Sequence, residues 1–201
     1  MLKKILVALL AVAAMACASR APFMDDASRT VEPTPIAVPQ DKAVLVVFQW
    51  GQGGHNWIVD EEGNLLGQTF RKTQAVLTLP PGPFRLYATT AGNVYALGDR
   101  LEGNLFAGKA YYATIGTRTG GITFRSLTPK AEDRWRHLAL YQSTPRKALD
   151  PARLEAAQEK LTPIVEEMKS EVERNAAKYN ARHLADRSIS PEDFVEPEHL
   201  F

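Results

Sequence analysis

Between Ala43 and Leu127 the chain repeats one pattern: a short run rich in β-branched and aromatic residues, then a turn signal. The runs are Ala43–Trp50, Asn56–Asp60, Leu65–Thr69, Ala75–Leu79, Phe84–Thr90, Tyr111–Thr117 and Ile122–Leu127. Asp60-Glu61-Glu62-Gly63-Asn64, Pro80-Pro81-Gly82-Pro83 and Thr119-Gly120-Gly121 lie between neighbouring runs, and each is composed of residues that favour chain reversal. Runs this short, at this spacing, predict strands. In Phe84 to Ala88 and Ile122 to Leu127 the apolar side chains fall largely on one face, with Arg85 and Arg125 on the other. The expected fold is mainly β: an antiparallel β-sandwich of about seven strands over residues 42–129.

From Pro129 the periodicity becomes helical. A short segment, Ala131 to Tyr141, places Trp135, Leu138 and Tyr141 at near-helical spacing within a connecting stretch, 130–149. The stronger signal follows at 150–187. Asp150 is suited to cap the amino end and Pro151 to the first turn, where its missing N–H costs nothing. Leu154, Ala157, Leu161, Ile164, Val165, Met168, Val172, Ala176 and Tyr179 form one apolar stripe, with Glu155, Glu159, Lys160, Glu166, Glu167 and Lys169 on the other faces. Pro163 predicts a kink or a division near Thr162. A long amphipathic helix needs a surface for its stripe. Either it packs on its own sandwich, or Leu154, Leu161, Ile164, Val165, Met168, Val172 and Tyr179 are offered to a protein partner. The glutamates on its polar faces oppose a membrane-lying role. The acidic tail, 188–201, is expected to be disordered or docked after the rest.

The single cysteine, Cys17, follows Lys3 and Lys4, the apolar run Ile5 to Ala13, and Ala14-Met15-Ala16. This resembles the lipobox of bacterial lipoproteins, with Ala14 where leucine is commonest. The expectation is a lipoprotein signal peptide over 1–16, cleavage before Cys17, and acyl chains on that residue that hold the protein to a bilayer. Ala18, in place of an aspartate, favours the outer membrane by the same resemblance. Residues 17–41, with Pro33, Pro35 and Pro39, are expected to be a flexible, extended tether.

Charge and cysteine content exclude several functions. Loss of Lys3 and Lys4 with the signal changes the formal charge from +1 to −1, which removes the electrostatic case for nucleic acid. With Cys17 acylated no thiol remains for a disulfide, a thiol nucleophile or a cysteine-based metal site. No cofactor and no metal centre is expected.

The stretch from Lys42 to about Pro129 resembles the β-domain of a family of uncharacterised bacterial lipoproteins, itself similar to PEGA-type and carboxypeptidase-regulatory-type sandwiches. The residues that carry the likeness are the opening strand Ala43 to Phe48, the hairpin from Ile58-Val59-Asp60 to Leu65-Leu66-Gly67, the Leu79-Pro80-Pro81-Gly82 turn, and Ala107-Gly108-Lys109-Ala110-Tyr111-Tyr112. The resemblance implies an accessory, non-catalytic module.

Candidate sites are few. Gly51-Gln52-Gly53-Gly54-His55 lacks phosphate-loop spacing and suits a hairpin loop. With Trp50, His55, Asn56 and Trp57 it also makes a candidate ligand-binding rim, since indoles beside amides suit sugar faces. The Asp60-Glu61-Glu62 cluster suits an exposed turn. His137 with Asp133 and Ser126 lacks a nucleophile elbow, and His183 and His199 lack ligand spacing. The expected function is that of a non-catalytic envelope lipoprotein, held in the bilayer by Cys17 and contacting an envelope protein. The alternative is a glycan- or peptidoglycan-binding module that uses the rim.

Overall fold

The computed structural model describes residues 27–50, 54–90, 98–118, 121–127, 141, 143–178 and 180–195. Residues 1–16, expected to be a signal peptide, lie outside these residues, as do Cys17, the segment 131–140, Tyr179 and the side chain of Trp50. The strands are β1 (Ser28–Val31), β2 (Ala43–Trp50), β3 (Asn56–Val59), β4 (Leu65–Thr69), β5 (Gln74–Leu79), β6 (Gly82–Thr90), β7 (Asp99–Leu105), β8 (Ala110–Arg118), β9 (Gly121–Ser126), β10 (Arg146–Leu149) and β11 (Ser188–Ile189). Two helices, α1 (Pro151–Ala176) and α2 (Ala181–Asp186), and a 3-10 turn at Pro191–Asp193 complete the described elements.

The strands form two mixed sheets, in the orders β1-β10-β5-β2-β8-β9 and β11-β7-β6-β3-β4. The antiparallel expectation is corrected: β2 runs parallel to β8 from Val44 opposite Ala110 to Trp50 opposite Gly116, and β10 with β5 and β11 with β7 are also parallel. The cause is topological. After β2 the chain crosses to the second sheet for β3 and β4, returns for β5, and crosses again for β6 and β7, so β8 enters beside β2 in the same direction. Alternation marks which side chains face inward and says nothing about the direction of a neighbour.

Both sheets contribute to one core. Leu45, Val47, Leu77, Tyr111, Ile115 and Phe124 from the first meet Ile58, Leu86, Leu101 and Leu105 from the second. The outer face of the first sheet is also covered: Val44, Val46, Phe48 and Tyr112 pack with Leu127, Tyr141 and Val195, and with Ile36 and Val38. This double burial explains why β2 is apolar at nearly every position instead of alternating. It also corrects the tether expectation for residues 27–41. Those residues supply β1, and the extended, proline-spaced segment after it lays Ile36 and Val38 on the sheet, with Arg146 Nη1 donating to Thr34 Oγ1 (2.8 Å).

Helix α1 covers the outer face of the second sheet. Ala157, Leu161, Val165, Met168 and Val172 are buried against Trp57, Val59, Leu65 and Tyr87, each large side chain contributing about 1.5–3 kcal/mol. Asp150 caps it as expected, accepting from Ala152 N (3.1 Å). The helix continues unbroken through Pro163. Glu159, whose carbonyl the absent Pro163 N–H would have met, and Pro163 itself are exposed, so the lost bond falls on the solvent side of the helix. No helix among the described residues is long and apolar enough to cross a membrane. Beyond α2 the chain docks: β11 pairs with β7, and Val195 N donates to Ala110 O (2.8 Å).

Candidate functional site: an aromatic and cationic rim

The ends of β2, β4 and β6 and the beginnings of β3, β5 and β7 meet at one end of the two sheets, with Asn56 opposite both Thr69 and Thr90 and Phe48 opposite Gln74. A buried amide network joins the sheets there. Gln49 Oε1 accepts from Asn56 Nδ2 (2.7 Å) and from Thr69 Oγ1 (2.9 Å), while Gln49 Nε2 donates to Gly54 O (3.0 Å). Gln49, Asn56, Gln68 and Thr69 are fully buried. Polar groups in that setting persist because they are hydrogen-bonded to one another.

From this network a chain of contacts reaches the surface. Ser28 Oγ donates to Gln68 Oε1, and Gln68 Nε2 donates to His55 Nδ1 (3.0 Å). The His55 ring stacks on Phe70, with centroids 4.4 Å apart and planes 23° apart. Phe70 is 37% exposed, and Lys147 Nζ stands 5.9 Å from its ring centre.

Phe70 opens a turn whose shape is held by its backbone. Thr73 Oγ1 accepts from Phe70 N and donates to Phe70 O (2.8 Å each), Thr73 N donates to the same carbonyl (2.9 Å), and Lys72 N donates to Gln49 O (3.2 Å). Lys72 adopts the left-handed conformation, φ 55°, that closes the reversal. Arg71 and Lys72 project into solvent, and among the described residues no carboxylate pairs with either. The rim therefore presents an aromatic face and two cations on a preorganised turn, with Lys147 of β10 beside the ring.

The residues anticipated from sequence divide sharply. His55 belongs to the rim. Trp50 ends β2 opposite Gly116, with its side chain outside the described part, as are residues 51–53. Asn56 and Trp57 are corrected as ligand contacts: Asn56 is within the amide network, and Trp57, 1% exposed, lies beneath α1. A recess of about 240 Å³ beside Trp57 is lined by Ala27, Ala152, Arg153, Ala156, Ala157 and Lys160. The partner-helix assignment is likewise corrected. Leu161, Val165, Met168 and Val172 are buried on the second sheet, and Leu154 and Ile164 are half-buried against the same cluster, so the stripe has little left to offer.

Of the other acid–base candidates, Asp60, Glu61 and Ser126 have structural partners. Asp60 accepts from Asn64 N (2.7 Å) and Asn64 Nδ2 (2.8 Å), and Glu61 pairs with Arg85 (3.3 Å). Ser126 Oγ donates to Asp186 O (3.3 Å). His183 is exposed on α2, while Asp133, His137 and His199 lie outside the described residues. Tyr87 OH donates to Glu173 (2.8 Å), which also meets Arg100; burial, then that bond, pushes the phenol up to about 12. No group of three or more metal-ligating side chains occurs among the described residues.

Sequence reasoning passed over Phe70, Arg71, Lys72 and Lys147. The signal was available in Thr69-Phe70-Arg71-Lys72, an aromatic and two cations between two expected strands. At the opposite end of the sheets Phe106 is 48% exposed, in the reversal between β7 and β8 where Gly108 N donates to Lys42 O (2.7 Å). No family model matches the chain, and neither a curated protein nor a solved structure is significantly similar to it.

Proposed function

We propose that the chain is a non-catalytic lipoprotein of the bacterial cell envelope, held at the outer membrane by acyl chains on Cys17, in which a sandwich-like β-module acts as an accessory unit. The observation that supports a positioning role is the distribution of its side chains. Among the described residues, Asp60, Glu61, Asp99 and Asp150 are engaged in a turn, in ion pairs between elements and in a helix cap, while exposed aromatics stand at the two ends of the sheets, Phe70 at one and Phe106 at the other. Because α1 spends its apolar stripe internally, contact with an envelope protein falls to such end surfaces, with Phe106 the natural protein-facing element.

A second reading, a glycan laid on the rim, draws on the exposed ring of Phe70 beside His55, with Asn56 and Trp57 no longer contributing. Metabolic labelling with palmitate tests the anchor. Label enters the wild-type chain, which fractionates with the outer membrane, and is lost from Cys17→Ser. Label that persists in the variant, or a wild-type chain that stays unlabelled, overturns the reading.

A further inference from the structure

We infer that the Phe70-Arg71-Lys72 turn, with Lys147, is a membrane-contact face that rests on the anionic surface of the bilayer in which the protein is anchored. The inference rests on the anchored reading above and assigns one end of the module a partner: anionic lipid headgroups.

Proximity is the first argument. Ala27 is ten residues from Cys17, a reach of at most about 35 Å even fully extended. Ser28, next to Ala27, is linked to the rim through Gln68, His55 and Phe70. The tether therefore joins the edge of the module beside the start of α1, three residues along β1 from the rim, about 10 Å, which keeps the rim end within its reach. Acyl chains on Cys17 hold that end close to the headgroups, where the encounter is intramolecular and the effective concentration high.

Charge and shape give the second. Arg71 and Lys72 have no carboxylate partner among the described residues, so an anionic surface meets them without breaking an existing ion pair. Phe70 stands beside them as an apolar residue able to enter the headgroup boundary, and the hydrogen bonds of Thr73 hold the three in register. The flank covered by α1 exposes Glu155, Glu159, Glu166 and Glu167, which the same surface repels. The molecule thus has one end suited to lie toward the bilayer, which leaves Phe106 directed away from it.

Amine footprinting of the mature protein, purified from envelopes and reconstituted in vesicles, tests this. Acetylation of Lys72 and Lys147 is compared in phosphatidylcholine alone and with about 30% phosphatidylglycerol, with exposed Lys42 at the far end as internal reference. The expected result is a fall in labelling of about fivefold or more at both lysines in anionic vesicles, with none at Lys42 and full recovery in high salt. In the doubly reversed variant Arg71→Glu, Lys72→Glu, Lys147 should lose its protection while the thermal midpoint stays unchanged.

Equal labelling in the two vesicle types overturns the inference, as does protection indifferent to charge. Protection that appears only when envelope polysaccharide is added overturns it in favour of the glycan reading. Intact mass decides the anchor separately: a chain without acyl groups ends that reading, and its co-sedimentation with anionic but not neutral vesicles still decides the rim.

Discussion

Arg187 donates from Nε to both carboxylate oxygens of Asp99, at 2.7 Å each, and Asp99 is fully buried. The same carboxylate accepts from Phe124 N (2.7 Å), and Arg187 Nη1 donates to His183 O (2.9 Å). One buried charge pair thus ties the beginning of β7 to β9 and to the segment that leads from α2 into β11. Arg187 O accepts from Glu102 N (3.0 Å), continuing the attachment along the edge of the second sheet. This pair and the β7–β11 pairing hold the root of the segment that docks Val195 on Ala110.

Asp99→Ala should cost about 3–5 kcal/mol, because it leaves the Arg187 guanidinium buried without its counter-charge. Urea unfolding measures the loss. The double variant Asp99→Asn, Arg187→Met should be less destabilised than Asp99→Ala, and a double variant that is worse would contradict the charge-burial argument. Hydrogen exchange at Ile189 and Val195 should rise in Asp99→Ala before global unfolding.

Leu161→Ala removes a fully buried side chain from the α1 interface and should cost about 2–5 kcal/mol, whereas half-buried Leu154→Ala should cost less. A chain ending at Asp150 should aggregate or lose its cooperative transition, since Trp57, Val59, Leu65 and Tyr87 would face water. A soluble, cooperatively folded truncation would mean that α1 is dispensable.

Gly103→Ala places a Cβ 2.2 Å from the carbonyl oxygen of Ile189, a backbone atom that moves only if β11 leaves β7. The expected cost is about 1–3 kcal/mol, with exchange concentrated at the β11 amides. Gly116→Ala, where a Cβ meets nothing within 4 Å, should be close to neutral and serves as the control.

The Tyr87 phenol gives a pH dependence. Its folded value, raised to about 12 by burial and then by the bond to Glu173, exceeds the usual 10, so the folded state holds the proton more tightly than the unfolded state. The resulting stability is fully present below pH 10 and is lost as pH rises toward about 12. Tyr87→Phe should flatten the fall in urea midpoint across that window. An unchanged slope would place the dependence on other buried phenols, such as Tyr141, which burial also raises.

The strands legible from sequence were those with their own apolar density. β2 and β4 match the anticipated Ala43–Trp50 and Leu65–Thr69 residue for residue. β7 escaped notice because Asp99 and Gly103 interrupt its apolar pattern, and what makes them suit a strand lies elsewhere: Arg187 in one case, the close approach of Ile189 in the other. β1, β10 and β11 are two to four residues each and have no signature apart from the neighbours they pair with. At the rim, composition pointed to His55 and, wrongly as contacts, to Asn56 and Trp57. Three adjacent residues in a chain do not declare which of them a distant helix will cover.

By itself the sequence determined the local chemistry: short β-rich runs and their turns, a capped helix with one apolar stripe, and a lone Cys17 behind an apolar run. These follow from periodicity and backbone preference, which act over a few residues. Only the tertiary structure decided that β2 runs parallel to β8, that α1 covers Trp57, and that Ser28 reaches Phe70 through Gln68 and His55. Those outcomes depend on which surfaces bury one another best among residues far apart in the chain. Non-local burial of that kind leaves no periodic trace along the sequence.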